Sequence, residues 1–545
     1  MNLQEKPFYL SDGQVAWVEE ALKRLTPKQK IGQLFCIMGQ DYGPEETARL
    51  VSEYGVGGIL YRPAPAQTIR DWFAPLDPIA PVPLLKAANL EEGGSGGISD
   101  GTFFGWPMLT AATGDTSFAQ KFAEVCAKEG QTAGINWTFS PVCDIDYNFM
   151  NPITNVRTSG SDPDKVLSFV RAYVKTVQDC GMAACAKHFP GDGVDFRDHH
   201  LHPSYNSLSA KDWYDSYGKI YKSLIDEGLI SIMVGHIVQP NVEMDINPNL
   251  KFEDCLPGST SPELLQGVLR KKYGFNGLIT TDATIMGGFC QAMERKNAVP
   301  AAIMAGCDML VFSTDIYEDM GYMAQALADG RLSEERLNAA LRRILALKAK
   351  VGFRGVDLAG CPQAKLWQAE CADKAVTLVK SKRDLLPISP KKYKTVRLVT
   401  LGNDSVAAGS MTGTIQGLLE QAGFTVERYD PMADDLHGTA NLRADRLTLM
   451  LANVETASNQ TDVRIHWCKK HALDMPRFVH EEDCIFVSFA NPYHLQDVPR
   501  VPVYINVYSC NAATMRAVVE KLMGRSEFQG ISPVDAYCGL MDTRL

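Results

Sequence analysis

The segment Lys187-His188-Phe189-Pro190-Gly191-Asp192-Gly193, followed by Asp198-His199-His200-Leu201-His202, gathers an amine, acids and imidazoles in one short stretch. It directly follows the apolar run Gly181–Ala186. Pro and Gly stop that run. A buried strand ending this way delivers polar groups to a cleft and packs poorly. Asp198 and His200 are two residues apart, and in an extended segment alternate side chains share a face. A carboxylate beside an imidazole orients the ring and favours its charged form. Such a couple can donate a proton and later take one back. The ordinary alternative is a solvated polar loop. Asp282 ends the run Gly277-Leu278-Ile279-Thr280-Thr281. A carboxylate there serves as nucleophile or electrostatic anchor, or simply caps the next helix. His199 and His202 receive no role. Asp195, Asp198, His199, His200 and His202 are types that suit a zinc ion. Their spacing matches no strong zinc motif, and no His-Glu-x-x-His occurs. No metal and no cofactor are expected.

Positioning these residues requires a scaffold. Eight short apolar or β-rich runs recur: Leu34–Met38, Gly57–Tyr61, Pro83–Asn89, Trp137–Val142, Met182–His188, Ile230–His236, Gly277–Asp282 and Asp308–Ser313. Helical patterns separate many of them, including Thr116–Glu129, Pro163–Cys180, Ala210–Glu227, Ser261–Tyr273 and Ile316–Asp329. Alternating strands and helices predict a parallel sheet, and eight such units predict a (β/α)8 barrel. Several runs end in polar residues: Asn89, Asp144, Lys187-His188, His236 and Thr281-Asp282. In a barrel that is the end where active sites are built.

Ser333–Lys350 reads as a closing helix, begun at Ser333 and ended at Gly352. Residues 1–352 are therefore assigned to the barrel, 353–364 to a connector, and 365–545 to a smaller α/β domain. In the latter, Val396–Leu401, Phe424–Tyr429, Cys484–Phe489 and Val501–Tyr508 read as strands. Val406–Gln421 and Ala512–Met523 read as helices. A chain of 545 residues exceeds one core, which fits this division. The net charge of −10 argues against nucleic-acid or anionic-membrane partners. The N-terminus shows no basic region leading into an apolar core, and no run is long enough to span a bilayer. The 14 cysteines include no Cys-x-x-Cys and read as reduced thiols. A cytoplasmic monomer or homodimer is expected.

Together these motifs resemble glycoside hydrolase family 3, especially its β-N-acetylglucosaminidase branch. That branch carries Lys-His-Phe-Pro-Gly-His-Gly and then Asp-Ser-His. Phe139–Asp144, Asn151-Pro152 through Val156-Arg157, Gly160–Pro163, Thr281-Asp282 and Ala305–Leu310 are similar to family segments in the same order. Ala375–Lys380 and Leu385–Pro387 resemble the entrance to its second domain. The resemblance implies a barrel followed by an α/β sandwich domain. It implies a retaining, exo-acting enzyme that removes terminal β-linked N-acetylhexosamine, with a carbohydrate substrate as its partner. Asp282 would be the nucleophile, His200 the acid/base and Asp198 its orienting partner. Arg157, Lys187, His188, Asp144 and His236 would hold the sugar. A family 3 β-glucosidase, a glycoside phosphorylase and a non-catalytic sugar-binding protein are the alternatives. The chain departs from the pattern at Asp192, where the branch has His, and at His199, where it has Ser. The family's Asp-x-Glu-Gly-Gly-Arg element appears as Asn89-Leu90-Glu91-Glu92-Gly93-Gly94-Ser95, without the Arg.

Overall fold

The computed structural model describes residues 1–406, 409–431, 443–468 and 472–545. They form two compact units. The first comprises Met1–Thr102, Phe122–Ile145 and Val166–Pro362, and the second Phe103–Lys121, Asp146–Lys165 and Gln363–Leu545.

The first unit holds a closed, all-parallel eight-stranded barrel. Its strands are β1 (Phe35–Met38), β2 (Gly58–Leu60), β3 (Leu85–Ala88), β4 (Trp137–Thr138), β5 (Ala183–Phe189), β6 (Ser231–Val234), β7 (Leu278–Ala283) and β8 (Met309–Val311). Each pairs with its sequence neighbours, and β8 closes on β1. All eight runs read from the sequence are strands. β4 is shorter than expected, because Pro141 has no N–H to give the ladder. Pairing resumes beyond it, where the Cys143 N–H donates to the Lys187 carbonyl at 2.5 Å. Helices on the outside and side chains within bury both faces of the strands, so these read as continuous apolar runs. Inside, Trp137 is fully buried and its indole N–H donates to Ser231 at 3.0 Å.

The last crossover helix (Ile316–Ala328) is capped by Asp315, and the closing helix (Glu334–Val351) by Ser333. The Ser333 hydroxyl accepts from the Arg336 N–H at 3.2 Å, as the sequence signal implied. All fourteen cysteines are free thiols. Among the described residues, no helix is long and apolar enough to cross a membrane.

Asp308 is the ionic keystone of this unit. It is fully buried just before β8. Its carboxylate accepts from Arg270 at 2.6 Å, Arg336 at 2.8 Å and Arg343 at 3.3 Å, and from the Ile279 N–H at 3.0 Å. Three helix-borne cations thereby tie to the β7–β8 strand pair. Burial pushes the carboxyl up, but the three guanidiniums outweigh it and hold the group below its usual range.

In the second unit, six strands lie in the order β9 (Thr377–Ser381), β14 (Val503–Asn506), β13 (Asp483–Ser488), β12 (Arg446–Asn453), β10 (Thr395–Gly402) and β11 (Thr425–Arg428). Only β9 runs antiparallel within this sheet. Leu398, Leu449, Ile485 and Ile505 pack with helix residues Ile415 and Val518 in one cluster. Val399, Met450, Phe486 and Tyr504 form another with Leu495 and Val498. The sheet is thus covered on both faces, an α/β sandwich. β9 and β12 are absent from the sequence reading, whereas the helix Ala512–Leu522 matches it. The expected helix Val406–Gln421 is found as Met411–Gln421, and 407–408 lie outside the described residues.

Removing Asp308 should leave three buried guanidiniums facing one another. Asp308→Ala is expected to lose about 3–5 kcal/mol of stability in chemical denaturation, with Asp308→Asn losing less. Equal stability of Asp308→Ala and the parent protein would show that the cluster is not a keystone.

Candidate active site

The polar ends of the barrel strands converge on Asp282, the penultimate residue of β7. Its Oδ1 accepts from the Ala283 N–H at 2.7 Å. Its Oδ2 faces two imidazoles, with His188 Nε2 at 3.8 Å and His199 Nε2 at 3.9 Å. Burial pushes this carboxyl up. The imidazoles of His188, His199, His236 and His200 outweigh that and hold it well below the usual carboxylate range. Asp282 is therefore an anion at neutral pH.

His188 lies between two acids. Its Nδ1 meets Asp144 Oδ2 at 2.6 Å, and its own N–H donates to Asp144 Oδ1 at 3.1 Å. Asp144 also accepts from the Asp192 N–H at 2.8 Å. So Asp144, expected to meet sugar hydroxyls, fixes His188 and the turn after β5. That turn is held further by Trp213, whose indole donates to the Pro190 carbonyl at 2.7 Å, and by Asn206, which donates to the Gly191 carbonyl at 3.0 Å. Gly191 has φ +118°, and a Cβ there would lie 2.1 Å from the Tyr217 ring, so only glycine fits.

The Asp198–His200 couple forms, though differently from the sequence argument. The chain is a turn here, with the Leu201 N–H donating to the Asp198 carbonyl at 3.0 Å. Within it, Asp198 Oδ1 accepts both the His200 N–H at 2.8 Å and, at 2.7 Å, its ring Nδ1. An extended segment would put both side chains on one face. The turn instead lets one carboxylate clamp backbone and ring together. Nδ1 is thereby engaged.

This loop is tied to the loop that follows Asp282. The Gly287 N–H donates to the His200 carbonyl at 2.7 Å, and the Gly288 N–H to the His199 carbonyl at 3.2 Å. A Cβ on Gly287 would lie 2.1 Å from the Leu201 carbonyl oxygen, and one on Gly288 would lie 2.6 Å from that of His199. The 199–201 loop can approach the segment after β7 only because both are glycine. The sequence reading passed over this pair, although adjacent glycines just after a strand end were a visible signal.

His236 is fully buried with both ring nitrogens engaged. Nδ1 meets the Ser259 hydroxyl at 2.9 Å, and Nε2 the Ala283 carbonyl at 3.1 Å. Burial holds it near-neutral by lowering its pKa to about 4. Its ring thus braces the segment that carries Asp282. Lys187 forms a buried ion pair with Glu91 and reaches Asn89 Oδ1 at 3.4 Å. Glu91 is a site residue that the sequence reading did not select. Arg157 belongs to the second unit, where its guanidinium donates to the Ile153 carbonyl at 3.1 Å.

Two triads bring possible cation ligands within 4.8 Å of one another: His188, His199 and Asp282, and Asp198, His199 and His200. The other members of the five-residue cluster lie elsewhere. Asp195 pairs with Arg197 at 2.7 Å, and His202 Nδ1 faces the Pro203 carbonyl at 3.3 Å.

A buried anionic carboxylate, an Asp–His couple and a Lys–His pair stand at the C-terminal end of a (β/α)8 barrel, the end where barrel enzymes build their active sites. The model of the glycosyl hydrolase family 3 N-terminal domain matches residues 26–347, and the chain belongs to glycoside hydrolase family 3. It is 41% identical over 564 aligned residues to a "Beta-N-acetylglucosaminidase/beta-glucosidase" of Cellulomonas fimi, covering 100% of both chains. It is 28% identical to "Beta-hexosaminidase A" of Pseudoalteromonas piscicida over 62% of each. Among solved structures, "Beta-glucoside phosphorylase BglX" is 43% identical, with TM-score 0.94 and 99% of each chain covered. A family 3 β-N-acetylglucosaminidase from Paenibacillus sp. str. FPU-7 shares the fold at TM-score 0.79 and 24% identity, covering 95% of this chain and 100% of that one.

Gly287→Ala is expected to displace the 199–201 loop while leaving the barrel intact. Turnover of an aryl glycoside should fall by about 10²-fold or more, in line with misplaced acid/base chemistry, at near-unchanged melting temperature. Retained turnover would show that the two loops need not approach.

Proposed function

We propose that this chain is a retaining, exo-acting β-glycosidase that removes terminal β-linked N-acetylglucosamine, or the glucose counterpart, through a covalent glycosyl-enzyme. The observation that carries this reading is the Asp198–His200 clamp on a loop bonded to the loop of an ionised Asp282.

In the first step Asp282 attacks the anomeric carbon. His200, protonated, gives its Nε2 proton to the departing oxygen. In the second step neutral His200 takes a proton from the acceptor as that oxygen attacks the same carbon. The electron pair of the breaking bond returns to Asp282. Asp198 keeps Nδ1 engaged throughout, so Nε2 alone trades the proton. Lys187 and His188 bind sugar hydroxyls, and Arg157 is assigned the same role from its motif alone. Asp144 supports His188, and His236 supports the nucleophile's segment.

A second reading is favoured by the same geometry. After giving up its proton His200 is neutral, whereas a carboxylic acid in that role would be an anion. A neutral base does not repel an anionic acceptor, so phosphate can replace water in the second step. The 43% identical structure named a β-glucoside phosphorylase supports this. The reading predicts faster substrate consumption with inorganic phosphate and release of sugar 1-phosphate. Turnover indifferent to phosphate would leave water as the acceptor.

Asp282→Ala is expected to abolish turnover of aryl β-N-acetylglucosaminides and β-glucosides. His200→Ala should slow poor-leaving-group substrates by about 10²–10⁴-fold and activated ones far less. Equal losses across leaving groups would take the acid role from His200.

A further inference from the structure

His199 is fully buried beside the nucleophile, and among the described residues neither of its ring nitrogens makes a hydrogen bond. Leaving both nitrogens of a buried imidazole without a hydrogen bond is unfavourable. The ring is aimed at two acids. Nε2 lies 3.7 Å from Asp192 Oδ2 and 3.9 Å from Asp282 Oδ2. The two positions where the motif departs from the family pattern, Asp192 and His199, therefore face each other beside the nucleophile. Three more imidazoles surround it, with ring centroids 5.1 Å away for His200, 5.5 Å for His188 and 6.2 Å for His236. Burial first, and then His200, disfavours the charged ring, so His199 is a neutral donor with one N–H.

We propose that His199 is a positioning residue for the nucleophile, giving its Nε2–H to whichever of Asp282 and Asp192 carries the charge. This rests on the reading of Asp282 as the nucleophile. In the free enzyme Nε2 stands between the two acids, 3.7 Å from Asp192 Oδ2 and 3.9 Å from Asp282 Oδ2, and is bonded to neither. In the glycosyl-enzyme Asp282 is a neutral ester, and the N–H turns to Asp192. As the acceptor oxygen bonds to the anomeric carbon, the C–O bond to Asp282 breaks and its electron pair returns to the carboxylate. The acceptor's proton goes to His200. His199 keeps its own proton and moves only its hydrogen bond, back onto the departing carboxylate. That bond strengthens as negative charge grows on Asp282, so it assists the second step. It does little for the first, in which the charge is being consumed.

The test uses an activated aryl β-glycoside, whose leaving group makes the second step limit turnover. His199→Ser is expected to lower kcat by about tenfold, the worth of one hydrogen bond to a charged group. KM should fall by a similar factor, kcat/KM should stay within about threefold, and a burst of released phenol should appear. His199→Gln keeps a donor near the Nε2 position and should restore most of kcat. A purely structural role would instead lower kcat/KM and melting temperature in both variants without a burst, which would overturn the proposal, as would unchanged kcat in His199→Ser. If His199→Ser does not fold, loss of kcat/KM without a burst in His199→Gln overturns it on its own. Turnover persisting in Asp282→Ala would remove the underlying reading. An inactive Asp282→Ala with no split between kcat and kcat/KM at position 199 removes only this proposal.

Discussion

An anion buried among imidazoles is the constraint on which the site depends. A carboxylate that attacks carbon, the role proposed for Asp282, gains from desolvation, yet desolvation favours its neutral, unreactive form. The barrel resolves this by surrounding the carboxylate with the imidazoles of His188, His199, His236 and His200, whose electrostatic pull outweighs burial. A guanidinium at 2.6 Å, as at Asp308, would hold the anion too tightly for it to act. Asp308 and Asp282 thus show the two uses of a buried acid. One is locked by three arginines that hold strands and helices together, and the other is kept ionised among imidazoles.

Positioning that ring of imidazoles is shared among several strands. β5 brings His188, the turn beyond it brings Asp192, and the following loop brings His199 and His200. The segment after β6 brings His236. Asp144, from beyond β4, gathers His188 and Asp192 onto one carboxylate. Gly287 and Gly288 close the circuit by letting the 199–201 loop dock on the segment after Asp282. Little of this lies in side-chain chemistry alone. It depends on where small residues permit two backbones to touch.

Much of this was legible in the sequence, for physical reasons. Parallel barrel strands are buried on both faces and read as short apolar runs, so all eight were visible. Asp282, Lys187 and His188 stood out as polar residues where such runs stop, and Asp198 and His200 by their two-residue spacing. Other features were not legible. The run Leu447–Ala452 in β12 is rich in Leu, Met and Ala, which favour helix as much as strand, and only its central place in the sheet decides. The Asp198–His200 clamp was expected in an extended segment and forms in a turn. A two-residue spacing allows both, and the backbone N–H of His200 selects the turn. His199 looked like an unassigned loop histidine, because burial is a property of the fold and not of the residue. His236 could be placed near the pocket, but its Ser259 and Ala283 partners are distant in sequence.

The central claim is that Asp282 bonds covalently to the sugar. Incubation with an activated 2-fluoro glycoside, which slows both steps but the second most, followed by proteolysis and mass spectrometry, tests it directly. The account predicts one added glycosyl unit, on the peptide containing Leu278–Ala283 and localised to Asp282, with none in Asp282→Ala. A label on another carboxylate, or full inactivation with no covalent label, would contradict it.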